Sequence, residues 1–474
     1  MIAGRSPFPR AASLVLWSAA ILGLAAGCWS SDAPSKRPPA SFGEYEPPPG
    51  PREPRISVPD IPPQAEPAED PAEPIAFSAD DWPWWRGPTH DGHSPAKNVP
   101  LRFSDAEDAR ENIVWKQPLP GRGHSSPAVW GDRVFLTTAD DEAEIQSVLC
   151  FDRATGTPLW TTDVHRGNFE PASRMHLWSS HATPTVACDG IRVYASFLNG
   201  QAIWTTALDL DGQQLWQREV GEFDSKQGYS ASPVIVGGLA IVAGDNWGSG
   251  WIAALDRRTG EIVWRTARPA AESYSTPLPA EVDGEQRLFL CGARIVAGYD
   301  ARTGKEIWSV PGTSLQTIGT MVKEGDLVFA TGGWPETETI ALKAATGDVV
   351  WRNSTPIWLS SPLVHDGLLF AFRDEGIAFC WDARTGKLKW KKRLGGNLSS
   401  SPVLVEDRIY LFGQDGSCRV FRADGAAYEE LAASQLGRET FASPAICGDR
   451  IYMRITDFAA EQRRPQFLYC IGAQ

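Results

Sequence analysis

A ten-residue phrase that recurs along the chain is the feature that most limits its fold. The residues LDRRTGEIVW (255–264) return as YDARTGKEIW (299–308) and WDARTGKLKW (381–390). The Thr-Gly centre predicts a hairpin turn, because Gly takes a positive φ at no steric cost and Asp and Thr accept turn N–H groups. The Trp that ends the phrase then lies on the next strand, where its ring can seal one sheet against another. We predict this docking role for Trp115, Trp160, Trp216, Trp264, Trp308, Trp351 and Trp390.

A second phrase, in which a small residue and Ser or Thr precede Pro, opens each repeat unit. Its starts lie roughly 40 to 60 residues apart, a period typical of propeller blades. Alternating apolar runs separated by turn signals follow each start, which predicts four short strands per unit. The eight starts are SSPAV (125–129), ATPTV (182–186), ASPVI (231–235), STPLP (275–279), QTIGTMV (316–322, without Pro), SSPLV (360–364), SSPVL (400–404) and ASPAI (442–446).

The last unit is one strand short. Residues 442–474 contain only three apolar runs, whereas ENIVWKQ (111–117) matches EIVWRTA (261–267) and has no preceding strands of its own. The simplest arrangement places this N-terminal strand in the last blade, which closes the ring and removes the exposed faces of an open array. We therefore predict an all-β, eight-bladed β-propeller of four-stranded antiparallel blades over residues 112–474.

The pattern A-x-D-x-x-T-G-x-x-x-W, complete from Ala254 to Trp264, resembles the tryptophan-docking repeat of the PQQ-like (pyrroloquinoline-quinone) β-propeller family. The resemblance covers residues 112–474. The segment DWPWWRGPTHDGHSP (81–95) also resembles a leader that precedes the propeller in bacterial PQQ-like proteins, so residues 81–111 are assigned as a Trp-rich leader. The resemblance implies either a non-catalytic propeller or a quinoprotein dehydrogenase that holds PQQ with Ca²⁺.

The N-terminus has the pattern of a secretory signal. Arg5 and Arg10 precede an apolar run (11–26) that is shorter than the ~20 residues of a bilayer span. Small residues directly before Cys28 resemble the bacterial lipobox, although the Leu lies one place further away than usual, and an ordinary signal is the alternative. We predict a lipoprotein signal over 1–28 with lipidated Cys28, then a Pro-rich disordered linker over 29–80.

Composition restricts the other classes of function. The net charge of −13 disfavours nucleic-acid binding, because an acidic chain repels phosphate backbones. The seven cysteines after Cys28 stand apart inside apolar runs, which is typical of core residues. We find no adjacent Cys pair and no haem motif, and assign no catalytic, cofactor-binding or metal-binding residue. For His124, His176 and His181, hydrogen-bonded loop histidines are favoured over metal ligands.

A long insertion (165–181) and several Trp near strand ends give the candidate partner surface. Long loops on a rigid scaffold often bind, and exposed Trp residues are common binding hot spots, although blade packing explains such Trp equally well. The residues of this candidate surface are His176, Trp178, His181, Trp247, Trp334 and Trp358.

These features favour a non-catalytic, monomeric scaffold without a cofactor. Its architecture resembles that of the BamB-type propeller lipoproteins, which implies a lipid anchor in the bacterial cell envelope, a propeller facing the periplasm and protein partners there. A PQQ-dependent quinoprotein dehydrogenase with Ca²⁺ is the first alternative. A carbohydrate-binding propeller is the second, and would need exposed Trp on one face.

Overall fold

The computed structural model is built from β-strands. Every regular element in the described residues is a strand, and none of these residues forms a helix with the length and apolar character of a bilayer span. The predicted signal with Cys28 and the predicted linker up to residue 74 lie outside the described residues. The described ranges are 75–171, 175–176, 178–225, 227–457 and 464–473.

The strands form eight antiparallel sheets, and this confirms the predicted eight-bladed β-propeller. The first two strands are β1 (His93–Ser94) and β2 (Ile113–Leu119). Blades 1 to 4 contain β3 (Ala128–Trp130), β4 (Arg133–Asp140), β5 (Ile145–Asp152), β6 (Pro158–Arg166), β7 (Ala187–Cys188), β8 (Arg192–Asn199), β9 (Ala202–Asp209), β10 (Gln214–Glu222), β11 (Val234–Val236), β12 (Leu239–Gly244), β13 (Gly250–Asp256), β14 (Ile262–Arg268), β15 (Leu278–Val282), β16 (Glu285–Gly292), β17 (Ile295–Asp300) and β18 (Glu306–Pro311). Blades 5 to 8 contain β19 (Val322–Glu324), β20 (Leu327–Gly332), β21 (Glu338–Lys343), β22 (Val349–Asn353), β23 (Leu363–His365), β24 (Leu368–Arg373), β25 (Ile377–Asp382), β26 (Leu388–Arg393), β27 (Val403–Val405), β28 (Arg408–Phe412), β29 (Ser417–Arg422), β30 (Glu430–Gln435), β31 (Ala445–Cys447), β32 (Arg450–Thr456) and β33 (Gln466–Ile471).

In blades 1 to 7 the four strands follow one another in sequence order across the sheet, and in blade 8 the N-terminal strand β2 takes the outer place. The first strands of neighbouring blades contact one another, as β3 does with β7 and β31, so the first strand of each blade is innermost and follows the central channel. We name the end where the innermost strands begin the upper mouth, and the end where they finish the lower mouth. Because neighbouring strands are antiparallel, the loops between second and third strands and the connections between blades lie on the upper side. The Thr-Gly turns, between third and fourth strands, lie on the lower side.

The eighth blade combines both ends of the propeller sequence. Its outer strand β2 pairs antiparallel with β33, with Lys116 opposite Tyr469. Blade 8 also contacts blade 1, because the backbone N–H of Ser443 donates to the hydroxyl oxygen of Ser126 at 2.8 Å. The seven cysteines of the described residues are buried free thiols, as expected of core positions.

The repeated Trp residues connect consecutive blades. The indole N–H of Trp264 donates to the carbonyl oxygen of Ala301 in the next blade at 3.2 Å. Its ring lies on the turn glycine Gly304, where an added Cβ would approach the indole to 2.3 Å and where φ is +72°. The turn therefore needs Gly because of its positive φ and because the Trp264 ring leaves no space for a Cβ. The same donation joins Trp115 to Arg153, Trp160 to Leu210, Trp216 to Arg257, Trp308 to Ala344, Trp351 to Ala383 and Trp390 to Asp424.

The leader replaces the Trp that the outer strand of blade 7 lacks. Phe103 stacks on Phe412 with a centroid separation of 6.0 Å, and the Tyr410 hydroxyl donates to the carbonyl oxygen of Val99 at 3.1 Å. Val99 and Phe103 belong to one apolar cluster with residues of blades 7 and 8. The seam between these blades is thus filled by chain from outside the repeat.

A belt of hydroxyl groups joins the blades around the channel. A backbone N–H of each of seven blades donates to a Ser or Thr hydroxyl oxygen of the next blade, at 2.8–3.1 Å. At Thr320 of blade 5 the hydroxyl instead accepts from the indole N–H of the leader residue Trp85, at 2.8 Å. The repeated hydroxyl residues are therefore bonded between blades as well as small enough to pack near the axis. The belt consists of Ser126, Thr185, Ser232, Thr276, Thr320, Ser361, Ser401 and Ser443.

The substitution Trp264→Ala should destabilise the propeller strongly. Trp264 is 0% exposed, and deleting a buried Trp side chain typically lowers the free energy of unfolding by about 3–5 kcal/mol. The matched control is Leu388→Ala on an outer strand, where the side chain is 48% exposed and the expected change is within about 0.5 kcal/mol. Urea denaturation of both variants makes the comparison, and equal midpoints would contradict the docking role.

Candidate functional site

The leader closes the lower mouth of the channel. Arg86 is 3% exposed, and its guanidinium donates to the carbonyl oxygens of Pro402 (2.6 Å), Pro362 (2.9 Å) and Asp91 (2.6 Å). Pro362 and Pro402 open the innermost strands of blades 6 and 7, so the guanidinium lies inside the ring. Burial lowers the pKa of Arg86 to about 10, with an opposing effect from Asp91.

Further contacts hold the leader across the lower mouth. Trp82 bridges to Val129 of blade 1, and Cys188 of blade 2 donates its N–H to the carbonyl oxygen of Pro83 at 2.8 Å. Strand β1 pairs in parallel with the innermost strand β27, which gives blade 7 a fifth strand that the sequence pattern did not predict. The lower mouth is therefore covered by the protein's own chain.

A cavity of about 530 Å³ remains on the lower side, between the leader and blades 3 to 5. Its leader wall contains Thr89 and Asp91, and the Asp91 carboxylate already accepts from the Thr89 hydroxyl at 2.5 Å and from the His93 N–H at 2.9 Å. The only lysine or arginine that lines it is Lys323. We see no convergent set of polar groups here that would define a ligand.

The upper mouth holds a smaller cavity, of about 140 Å³, lined mainly by aromatic side chains. The lining comes largely from residues that precede the innermost strands, so it draws on every blade of the ring. No Asp, Glu, Lys or Arg is among the lining residues. The five benzenoid and indole side chains are Trp178, Tyr229, Tyr274, Trp358 and Phe441.

The rings of this cavity contact one another across blades. Phe441 of blade 8 lies 4.7 Å from the His124 ring of blade 1 and 6.4 Å from the Trp178 ring, measured between centroids. Trp178 in turn meets His176 edge to face at 5.4 Å. His176 and Trp178 of the insertion thus lie at the upper mouth, next to the junction of blades 8 and 1.

Two buried tyrosines make the opposite wall rigid. The hydroxyl of Tyr229 donates to the carbonyl oxygen of Ala243 at 3.0 Å, and that of Tyr274 donates to the Glu272 carboxylate. Glu272, which is 1% exposed, also accepts from the amide of Gln316 at 3.0 Å. Burial, and then the charge of Glu272, raises the pKa of Tyr274 well above its ordinary value, so its phenol stays neutral.

The imidazoles of the cavity are neutral near pH 7. Burial lowers the pKa of His124 far below its ordinary value, and the positive charges of Arg122 and Arg454 lower it further. Burial also lowers the pKa of His176. Arg454 is buried beside this wall, where its guanidinium donates to the carbonyl oxygen of Thr137 at 2.7 Å. The cavity lining is therefore uncharged, with the positive charges of Arg122 and Arg454 behind His124 and the Glu272 carboxylate behind Tyr274.

The structure brings some of the candidate partner residues together. His176, Trp178 and Trp358 line the cavity. His181 lies on the same side but is bonded to Asp141 at 2.8 Å and packs on Phe169, outside the lining. Trp247 and Trp334 lie in upper-side loops between second and third strands, in blades 3 and 5, and also outside the lining.

Sequence reasoning missed Tyr229, Tyr274 and Phe441 as site residues. A signal was present, because Tyr274 directly precedes STPLP, Phe441 directly precedes ASPAI, and Tyr229 stands two residues before ASPVI. These are the positions that reach the upper mouth once the first strand is innermost.

The residues at the upper mouth do not fit PQQ with Ca²⁺. Within the described ranges, no group of three or more His, Cys, Asp or Glu residues is placed to hold a metal ion. Calcium prefers six to eight oxygen ligands, several of them carboxylates. The cavity lining contains no Asp or Glu and therefore no carboxylate. The cavity of about 140 Å³ is also below the roughly 300–1,000 Å³ of small-molecule sites.

The eight blades, the docking Trp residues and the Thr-Gly turns define the class of this protein as a PQQ-like β-propeller. The family model described as "Outer membrane protein assembly factor BamB" matches residues 103–248, 205–356, 292–376 and 336–459. These matches cover most of the chain, and the protein belongs to this family.

Relatives of both functional kinds are similar to this chain. The outer membrane protein assembly factor BamB of Yersinia pestis is 25% identical over 343 residues, which is 70% of this chain and 72% of that protein. The polyvinylalcohol dehydrogenase of a Pseudomonas species is 24% identical over 304 residues, 59% of this chain and 41% of that protein. The crystal structure of BamB from Moraxella catarrhalis has a TM-score of 0.53 at 15% identity, covers 75% of this chain and 98% of that one, and supports the shared fold.

Acid should weaken the docking of the leader through His90, whose ring stacks on Trp84 at 5.0 Å. Burial lowers the pKa of His90 from 6.5 to about 3, so between these values the unfolded chain binds more protons. The contribution of His90 to the free energy of unfolding should therefore have its full value above pH 6.5 and decrease as the pH falls toward 3. The variant His90→Asn tolerates the local φ of +60° and should reduce the slope of this dependence in denaturant titrations across that range, while the buried His124 and His165 keep their own contributions. An unchanged slope would contradict the assignment.

Proposed function

We propose that this protein is a non-catalytic, membrane-anchored scaffold that binds protein partners through its upper mouth and takes part in outer-membrane protein assembly. The observation that carries the proposal is the contrast between the two mouths. The leader covers the lower mouth and extends Arg86 into the channel, whereas the upper mouth presents half-buried aromatic side chains with no charged lining. A partner therefore has one accessible end of the channel.

The chemistry of the upper mouth suits a protein interface. Interface cores are enriched in Trp, Tyr and Phe and depleted in charged residues, and large aromatic anchors dominate binding energies. Trp178 and Trp358 are half-buried, so part of each ring remains available for contact. Trp247 and Trp334 add aromatic area on the same side of the ring.

The non-catalytic part of the proposal is supported by the side chains at the mouth. Proton or hydride abstraction needs a positioned base, and the cavity lining contains no carboxylate. The His124 side chain is buried against the ring of Phe441, at 4.7 Å between centroids. Nothing in the lining of the cavity activates it as a base.

The cellular setting of the proposal comes from the N-terminal sequence and from the relatives. Lipidation at Cys28, followed by the Pro-rich linker, would tether the propeller to a membrane on its periplasmic side. BamB relatives are named as outer-membrane assembly factors, and we extend that role to this chain as a monomeric scaffold without a cofactor.

Capture of partners should depend on the aromatic residues of the upper mouth. The purified, tagged protein is expected to retain envelope proteins of its own organism from a detergent extract. The variant Trp178→Glu should lose them, because a buried carboxylate without a partner opposes docking. The control Leu388→Glu lies on an outer strand, exposed on the side of the ring, and should bind like the parent protein. Retention that is equal in both variants would place the binding surface elsewhere.

The similarity to polyvinylalcohol dehydrogenase keeps a quinoprotein dehydrogenase as the alternative. The purified protein is mixed with PQQ and Ca²⁺, and dye reduction is followed with alcohols, polyvinyl alcohol and sugars as substrates. Because the mouth lacks carboxylate ligands, we expect no reduction above a sample without PQQ. Turnover that depends on both PQQ and Ca²⁺ would overturn the non-catalytic proposal.

A further inference from the structure

The upper-mouth cavity has the size of a single six-membered ring. Its volume is about 140 Å³, and in another protein an engineered apolar cavity of about 150 Å³ binds benzene. The space is too small for a cofactor or an oligosaccharide, but it is large enough for one side chain inserted from outside. The volume therefore points to an anchor residue.

The charge around the cavity excludes ionic anchors. No lining residue carries a charge near pH 7, so a bound carboxylate or ammonium would lose its hydration without an ion-pair partner. Behind the lining, Arg122 and Arg454 place positive charge near His124, and the Glu272 carboxylate lies behind Tyr274. Because no carboxylate is in the lining itself, we expect a quaternary ammonium group, which aromatic cages often bind, not to bind here.

Among neutral anchors, the walls favour an aromatic ring over an aliphatic chain. The lining rings already meet at tilted or edge-to-face angles, 33° for His124 with Phe441 and 78° for His176 with Trp178. Aromatic pairs gain from such geometry beyond the apolar area that they bury. Tyr229 and Tyr274 are held by their hydroxyl bonds, so the cavity keeps its shape when it is filled.

We propose that this cavity binds one aromatic side chain, Phe or Tyr, of a partner polypeptide. The inference rests on the proposed function, because it assumes that the partner is a protein and that it binds at the upper mouth. It adds the chemical identity of the anchor: an uncharged ring that enters along the axis between His124 of blade 1, Phe441 of blade 8 and Trp178.

Small-molecule probes test the anchor without a known partner. N-acetyl-phenylalanine amide is titrated into the purified protein, and binding is followed by tryptophan fluorescence and by calorimetry. N-acetyl-leucine amide, tetramethylammonium and methyl glucoside are the comparison probes. We expect the phenylalanine probe to bind roughly threefold or more tightly than the leucine probe, and the other two not to bind. Tighter binding of leucine, tetramethylammonium or the glucoside would overturn the proposal.

Two variants locate the binding. Ser399→Phe adds a ring to the cavity wall at a half-buried position of blade 7 and should abolish binding of the phenylalanine probe. Trp178→Ala should weaken it severalfold. The control Leu388→Ala changes an exposed side chain on an outer strand, outside the lining, and its affinity should equal that of the parent. Thermal unfolding verifies that each variant is folded, and probe binding that survives both mouth substitutions would refute the site.

Comparison with partner capture separates this inference from the proposed function. If envelope proteins are captured and lost in Trp178→Glu, but the phenylalanine probe does not bind, the scaffold function stands and the aromatic anchor is wrong. If the probe binds at the cavity and no protein is captured, the site stands and the scaffold function is wrong.

Discussion

The bond from an indole N–H on the outer strand of one blade to a backbone carbonyl in the next blade is the interaction on which this ring depends. A four-stranded blade has two apolar faces and cannot bury them alone, so each blade needs a neighbour at a defined distance and angle. Trp264 supplies both, since its ring packs on Gly304 and its N–H is directed at Ala301. The bond is directional, which sets the orientation of each blade as well as its contact.

The leader belongs to the ring as much as the blades do. Its Phe103 fills the seam between blades 7 and 8, where blade 7 lacks a Trp. Its Trp85 donates an indole N–H to the hydroxyl of Thr320, at the place in the belt where the donor comes from outside the blades. Arg86 then places a buried guanidinium among carbonyl oxygens inside the channel, next to the starts of two innermost strands. A segment that completes the packing also decides which end of the channel can receive a partner.

The sequence predicted the blades well because their signals are local. The Thr-Gly turn, the alternating strands and the closing Trp all lie within about ten residues, and repetition separates them from chance. The prediction that 111–117 completes the last blade followed from the same pattern. The cavity could not be predicted in this way, because Tyr229, Tyr274 and Phe441 are far apart in sequence and meet only through the curvature of the ring. The role of Phe103 was hidden for the same reason, since nothing in the leader repeats.

The electrostatics of the upper mouth argue for a polypeptide anchor over a metal-dependent cofactor on this scaffold. A bound Ca²⁺ would need carboxylate oxygens near the axis, whereas the lining has neutral His124 with Arg454 behind it. The Glu272 carboxylate lies behind Tyr274 and is hydrogen-bonded to Tyr274 and Gln316. Burial lowers the pKa of Arg454 only to about 9, so it remains positive near pH 7 and disfavours a cation at the mouth. A neutral ring in the same space would not be repelled by the Arg454 charge, and it would replace water in the cavity with contacts to the aromatic lining. An anchor at the axis would therefore be held by the shape and the uncharged lining of the cavity rather than by an ion pair.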